Sequence, residues 1–191
     1  MQVSDADLVE RARRGDTAAF GELVGRHRVA VYRAALAALG SPAEAEEAAQ
    51  EAFLTAYLKF DTFRGQAAFK TWLLSVAWRE ALDRRRSLRS RLRRLVSAPW
   101  EGDEDRPEPP AAGASPEQAL LDSEFVGQVR RLLGALPARL RDPLLLCAGG
   151  ERTYEEVSAM LGQPVGTVKW RVMEARRRLR ERLRRLGHAD E

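Results

Sequence analysis

Two helices joined by a glycine turn near the C-terminal end constrain this fold more than any other feature. The segment Thr153 to Gly162 leads into Gln163, Pro164 and Val165, then through Lys169, Trp170 and Arg171 to an arginine-dense stretch ending at Leu186. Thr153 can cap the first helix, with Glu156 three residues on completing a capping box. Gly162 suits the left-handed residue that closes a helix. Pro164 suits the first position of the next helix. Val165, Val168, Val172, Ala175, Leu179 and Leu183 then recur at helical spacing, which leaves Lys169, Trp170, Arg171, Glu174 and Arg178 off the buried stripe. Helix, tight turn and basic helix make a helix-turn-helix, the motif whose second helix enters the DNA major groove, the alternative being an ordinary amphipathic helix pair with a solvated charged face.

Charge distribution points to the same partner. The formal net charge is only +4, but it is concentrated in two blocks. Residues 79–95 hold eight arginines against Glu80 and Asp83, and residues 169–186 hold nine Lys or Arg against Glu174 and Glu181. Two basic blocks imply two contacts with a polyanion. The single cysteine, Cys147, excludes an internal disulfide and a thiolate metal cluster, and its apolar neighbours make it a small buried hydrophobe. The chain has only two histidines, His27 and His188, which read as surface residues. With no paired carboxylates at a cleft-like spacing, no enzyme activity, cofactor, metal or small-molecule substrate is expected. The N-terminus shows no signal-peptide pattern and no apolar run reaches membrane-spanning length, so a cytoplasmic protein without membrane insertion is expected.

The expected fold class is all-α, with two small helical domains joined by a flexible acidic linker. The first domain spans residues 1–96, the linker 97–115 and the second domain 116–191. The first domain reads as four helices. Asp5 to Arg14 is short and stops at Gly15. Asp16 caps a long helix that ends at Gly40. Ser41-Pro42-Ala43-Glu44 is a capping box opening a third helix to about Lys59, with Ala45, Ala49, Ala52, Phe53, Ala56 and Tyr57 as its buried positions. Phe60 to Gln66 is a loop, and a fourth helix runs from Ala67 to about Leu95. The linker is rich in proline, glycine and acid, with Trp100 as its one large apolar residue. Ser115 to Gln118 opens a helix to about Ala135, and another covers Arg139 to Ala148 before the helix-turn-helix.

Taken in order, these motifs resemble the extracytoplasmic-function (ECF) sigma factors of bacterial RNA polymerase. Region 2 of that family is matched by Gly15-Asp16 with Ala19-Phe20, by Ala45-Glu46-Glu47 with Gln50 to Leu54, by Phe63-Arg64-Gly65 with Thr71-Trp72-Leu73, and by Asp83-Arg84-Arg85. Region 4 is matched by Leu136 to Arg141, by Thr153 to Val157, and by Gly166-Thr167-Val168-Lys169 ahead of Arg171, Ala175 and Arg176.

The resemblance implies a protein that tethers core RNA polymerase to promoter DNA and promotes its opening. Glu46, Glu47, Gln50 and Glu51 would bind core polymerase. Asp61, Thr62, Phe63, Arg64, Gln66 and Trp72 would handle the −10 element, where a flipped base needs stacking and hydrogen-bonding groups. Arg84, Arg85 and Arg86 would follow the backbone there. For Phe63 and Trp72 core packing is the alternative, and for Trp72 an equal one. Thr167, Lys169, Trp170, Arg171, Glu174, Arg176, Arg177 and Arg178 would meet the −35 element. Arg171 is the candidate for a bidentate guanine contact and Glu174 for a cytosine contact, while the later arginines grip phosphates. The linker would thread the RNA exit path. An anti-sigma factor is a further expected partner.

Three departures from the family pattern stand out. Glu47-Ala48-Ala49-Gln50 replaces the usual Asp-Leu-Val-Gln, Arg79 replaces an asparagine, and Trp170 and Glu174 replace a serine and an arginine in the last helix. The two alanines leave an alternative open: a helix-turn-helix regulator that no longer engages core polymerase.

Overall fold

The computed structural model describes residues 3–96, 124–148 and 152–186, and among them every regular element is a helix, a single short 3₁₀ turn included. The chain divides into two compact units, one before and one after about residue 113. The expected linker and Trp100 lie outside the described residues, as does His188. No described helix is long and apolar enough to cross a membrane.

The first unit contains α1 (Asp5–Arg13), α2 (Thr17–Leu39), α3 (Pro42–Leu58), a 3₁₀ turn (Phe60–Thr62) and α4 (Phe69–Val96). Their boundaries follow local chemistry. Asp16 accepts from the Ala19 N–H at 3.1 Å, and Gly40 closes α2 in the left-handed region at φ +71°. Ser41 caps α3 through the Glu44 N–H at 3.5 Å, with Pro42 in the first turn. The Glu44 carboxylate, expected to complete that capping box, is instead taken by Arg84 of α4.

Helices α2, α3 and α4 pack mutually, and α1 lies against α2. Alanines make this close approach possible: Ala34, Ala35, Ala45, Ala48, Ala52, Ala56, Ala77 and Ala81 are essentially inaccessible. Around them Leu8, Leu23, Val31, Leu73 and Trp78 fill the core. Each such large side chain contributes about 1.5–3 kcal/mol by leaving water.

Two expectations are corrected here. His27 is not a surface residue. It is buried, and its Nε2 lies 2.7 Å from Asp5 Oδ2, so it fastens α2 to α1. Arg26 adds a second bond to the other oxygen of Asp5, also at 2.7 Å. Tyr57, expected to be buried, is half exposed and packs against Phe20 in a T-shaped ring pair.

The second unit contains α5 (Glu124–Gly134), α6 (Ala138–Ala148), α7 (Tyr154–Leu161) and α8 (Val165–Arg185). Its core is Leu136, Leu140, Leu144 and Leu146 against Val157, Met160, Val168, Val172 and Ala175. Cys147 is half-buried, and burial pushes its thiol up, away from the reactive thiolate.

Candidate nucleic-acid interface

The geometry of the α7–α8 pair is set by its caps. Thr153 Oγ1 accepts from the Glu156 N–H at 3.1 Å, and Glu156 returns the bond to the Thr153 N–H at 2.8 Å. Gly162 takes φ +63°, and the Gln163 N–H donates to Ser158 O at 3.1 Å, which closes the turn. Pro164 stands one residue earlier than expected, as the extended cap of α8 with ψ 139°. Val168, Val172 and Ala175 bury the inner seam of α8, with Val165, Leu179 and Leu183 half-buried at its ends.

The outer stripe of α8 carries Gly166, Lys169, Trp170, Met173, Arg176, Arg177 and Arg180, all exposed. Lys169 Nζ lies 5.6 Å from the Tyr154 ring centroid and 3.8 Å from Glu155. Trp170 and Met173 are 56% and 63% exposed, the two large apolar side chains on an otherwise charged surface. Thr167 is half-buried. Arg171 is also half-buried and donates to Gln163 Oε1 at 2.6 Å, so it braces the turn.

Glu174 accepts from Arg177 Nε at 2.8 Å and Arg178 Nε at 2.7 Å. Those two guanidiniums hold its carboxyl at about 2, well below the ordinary value. Arg177 also reaches Glu181 at 2.5 Å. The polar side chains expected to read bases, Arg171 and Glu174, are thus engaged within the protein. Met173 was not expected at the site, although its spacing three residues after Trp170 could have revealed it.

In the first unit, the segment Phe60 to Gln66 divides sharply. Phe60 and Phe63 are buried, while Asp61, Thr62, Arg64 and Gln66 are exposed. Phe63 packs on Phe69 and Trp72 with centroids 5.5 and 5.4 Å apart, and Phe60 lies 5.5 Å from Phe20. The Arg13 guanidinium stands 5.8 Å from the centroid of the Phe63 ring and donates to the Phe63 carbonyl. Trp72 is half-buried at the edge of this cluster. Thr62 Oγ1 donates to Lys59 O at 2.7 Å. Gly65 takes φ +71°, which turns the chain between Arg64 and Gln66. Phe63 therefore supports the loop from beneath, and the polar residues stand above it.

The three arginines expected along the −10 backbone part ways, because successive helical residues point about 100° apart. Arg84 turns onto α3, where it meets Glu44, Glu47 and Glu51. Arg85 donates to Ala38 O at 3.2 Å. Arg86 is exposed and paired with Asp83, and Arg79 is exposed beside them. On α3 itself Glu46, Glu47, Gln50 and Glu51 are all exposed, whereas Ala48 and Ala49 face inward. The two alanines thus belong to the helix-packing seam and not to the acidic face.

Comparison with known proteins adds independent findings. The Sigma-70 region 2 model matches residues 23–91, and the Sigma-70, region 4 model matches residues 127–179. The chain is similar to the ECF RNA polymerase sigma factor SigW of Bacillus subtilis, with 32% identity over 97% of this chain and 100% of that relative. It is 34% identical to the RNA polymerase sigma-H factor of Pseudomonas aeruginosa, over 92% of this chain and 91% of that one. It is 35% identical to the ECF RNA polymerase sigma-E factor of Escherichia coli, over 92% of both chains. Among solved structures, CnrH in complex with the cytosolic domain of CnrY matches 94% of this chain and 96% of its own, with a TM-score of 0.63 and 26% identity.

Proposed function

This chain belongs to the ECF sigma factors of RNA polymerase, and from that premise we propose how its two units divide the work of initiation. It is a transcription initiation factor and not an enzyme. Its partners are core RNA polymerase and promoter DNA, and we propose that it acts in the cytoplasm and is held by an anti-sigma factor when idle. Residues 1–96 form the proposed region 2 unit and residues 116–191 the proposed region 4 unit.

The observation that carries this division is the segregation of charge on exposed faces. The outer face of α3 carries Glu46, Glu47, Gln50 and Glu51, and with Glu44 its carboxylates outnumber the one guanidinium laid among them, Arg84, so it repels DNA and suits a basic protein surface on core polymerase. The outer face of α8 is cationic and follows a capped helix-turn-helix, so it suits the −35 duplex. There Lys169, Arg176, Arg177 and Arg178 supply grip on phosphates, Thr167 and Trp170 border the base edges, and Arg171 and Glu174 brace the turn and the neighbouring arginines. In region 2, Asp61, Thr62, Arg64 and Gln66 would hold an unstacked −10 base above a floor of Phe63 and Trp72. Arg86 would reach the nearby backbone. Arg84 and Arg85 serve the fold.

The alternative, a regulator without polymerase contact, rested on Ala48 and Ala49. Both alanines are buried, so they remove nothing from the acidic face. Run-off transcription with purified core polymerase on a promoter library tests the reading. Transcripts should require both proteins. Glu46→Lys with Gln50→Lys cancels the net negative charge of the face without touching Arg84 and should abolish core binding at unchanged melting temperature. Normal core binding by that variant would refute the assigned surface.

A further inference from the structure

Trp170 and Met173 stand three residues apart on the outer stripe of α8, where side chains at that spacing are neighbours about 5–6 Å apart. Both are more than half exposed, in a segment that is otherwise strongly basic. Large apolar side chains held in water at the centre of a charged face mark a contact surface. Their surroundings identify the kind of contact. Lys169 lies beside Trp170, and Arg176, Arg177 and Arg180 continue the same stripe, so cations flank the apolar pair. That order, apolar centre with basic flanks, matches a major groove, where base edges lie between two rows of phosphates.

The polar residues nearby are committed elsewhere. Arg171 is bonded to Gln163, and Glu174 lies between Arg177 and Arg178. Trp170 and Met173 project from the same stripe, exposed and able to touch the groove floor. The one apolar group that a base pair presents in the major groove is the C5 methyl of thymine.

Resting on the −35 reading above, we propose that Trp170 and Met173 select thymine in the −35 element by burying one or two C5 methyl groups. The discrimination is between a methyl and a hydrogen, and it leaves the hydrogen-bonding edge of the base unread. Burying one methyl from water corresponds to about a fourfold change in affinity.

The test uses the full chain bound to core polymerase, on promoters recovered by selection from a library randomised at −35. Each thymine of the recovered element is replaced singly by deoxyuridine, which deletes only the methyl. One or two positions should lose about fourfold in affinity for the wild type. In Trp170→Ala/Met173→Ala the same substitutions should make no difference. Equal binding of thymine and uracil duplexes by the wild type would overturn the inference, as would a double variant that keeps the discrimination. Either result would hand the exposed pair to a protein partner. Binding indifferent to every −35 base would instead sink the −35 reading on which the inference rests.

Discussion

The guanidinium of Arg84 in α4 donates to the Glu51 carboxylate of α3 at 3.1 Å, across 33 residues of sequence. Its other nitrogens meet Glu44 and Glu47, so one cation bridges three carboxylates spaced one helical turn apart. These carboxylates hold the guanidinium's affinity for its proton above the ordinary value, chiefly through Glu44. Two of the residues proposed to meet core polymerase are therefore aimed by a residue that looks, in sequence, like part of a DNA-binding run.

Arg84→Gln should destabilise the first unit by about 1–2 kcal/mol, between the values of an exposed pair and a buried one. Chemical denaturation of the full chain reads this directly. The variant should also bind core polymerase more weakly, because repulsion among Glu44, Glu47 and Glu51 is no longer offset. The salt dependence of promoter binding should stay unchanged. A shallower salt slope would show that Arg84 contacts phosphate after all.

Phe63→Ala should lower stability by about 3–5 kcal/mol, since the ring is buried among Phe69, Trp72 and Arg13. Arg64→Ala/Gln66→Ala should leave the melting temperature unchanged and cost promoter opening about 1–3 kcal/mol, from one lost cation–π contact and one lost hydrogen bond. Permanganate reactivity of the −10 thymines measures opening. Full reactivity in the double variant would remove the loop from the mechanism.

Glu174 gives α8 an acid-sensitive ion pair. Folding lowers its carboxyl from 4.5 to about 2, so the stabilisation is fully present above the ordinary value and is lost as pH falls through the lowered one. The wild type should melt above Glu174→Gln by a constant margin near neutrality, and the margin should close between about pH 4.5 and 2. At neutral pH the same variant releases Arg178 from its carboxylate, while Arg177 keeps its pair with Glu181. The salt slope of DNA binding should steepen by about one unit as the released cation reaches a phosphate. A changed −35 preference with an unchanged slope would mean that Glu174 reads a base.

Gly162→Ala isolates the backbone of the turn. A Cβ at Gly162 would meet nothing within 4 Å, so the cost is that of a left-handed residue alone, about 1–2 kcal/mol. The second unit should melt roughly 4–16 °C lower, with the first unit unaffected. Calorimetry of the full chain separates the two.

The sequence by itself determined the elements and the family. Helix ends depend on groups three or four residues apart, such as Asp16 with Ala19 or Thr153 with Glu156, and these are visible in a linear string. The inner seam of α8 was legible for the same reason, because Val168, Val172 and Ala175 obey a local period. Only the tertiary structure decided which polar and aromatic groups face outward. Arg84 is aimed by carboxylates 33 to 40 residues away, and Phe63 is buried by an arginine 50 residues before it and by α4. His27 is buried by a carboxylate on another helix. Arginine and glutamate are long and flexible, so their direction is set by the nearest opposite charge in space, and a helical period carries no information about that distance. For Trp170 and Met173 no such partner exists among the described residues, and they remain on the surface where the period places them.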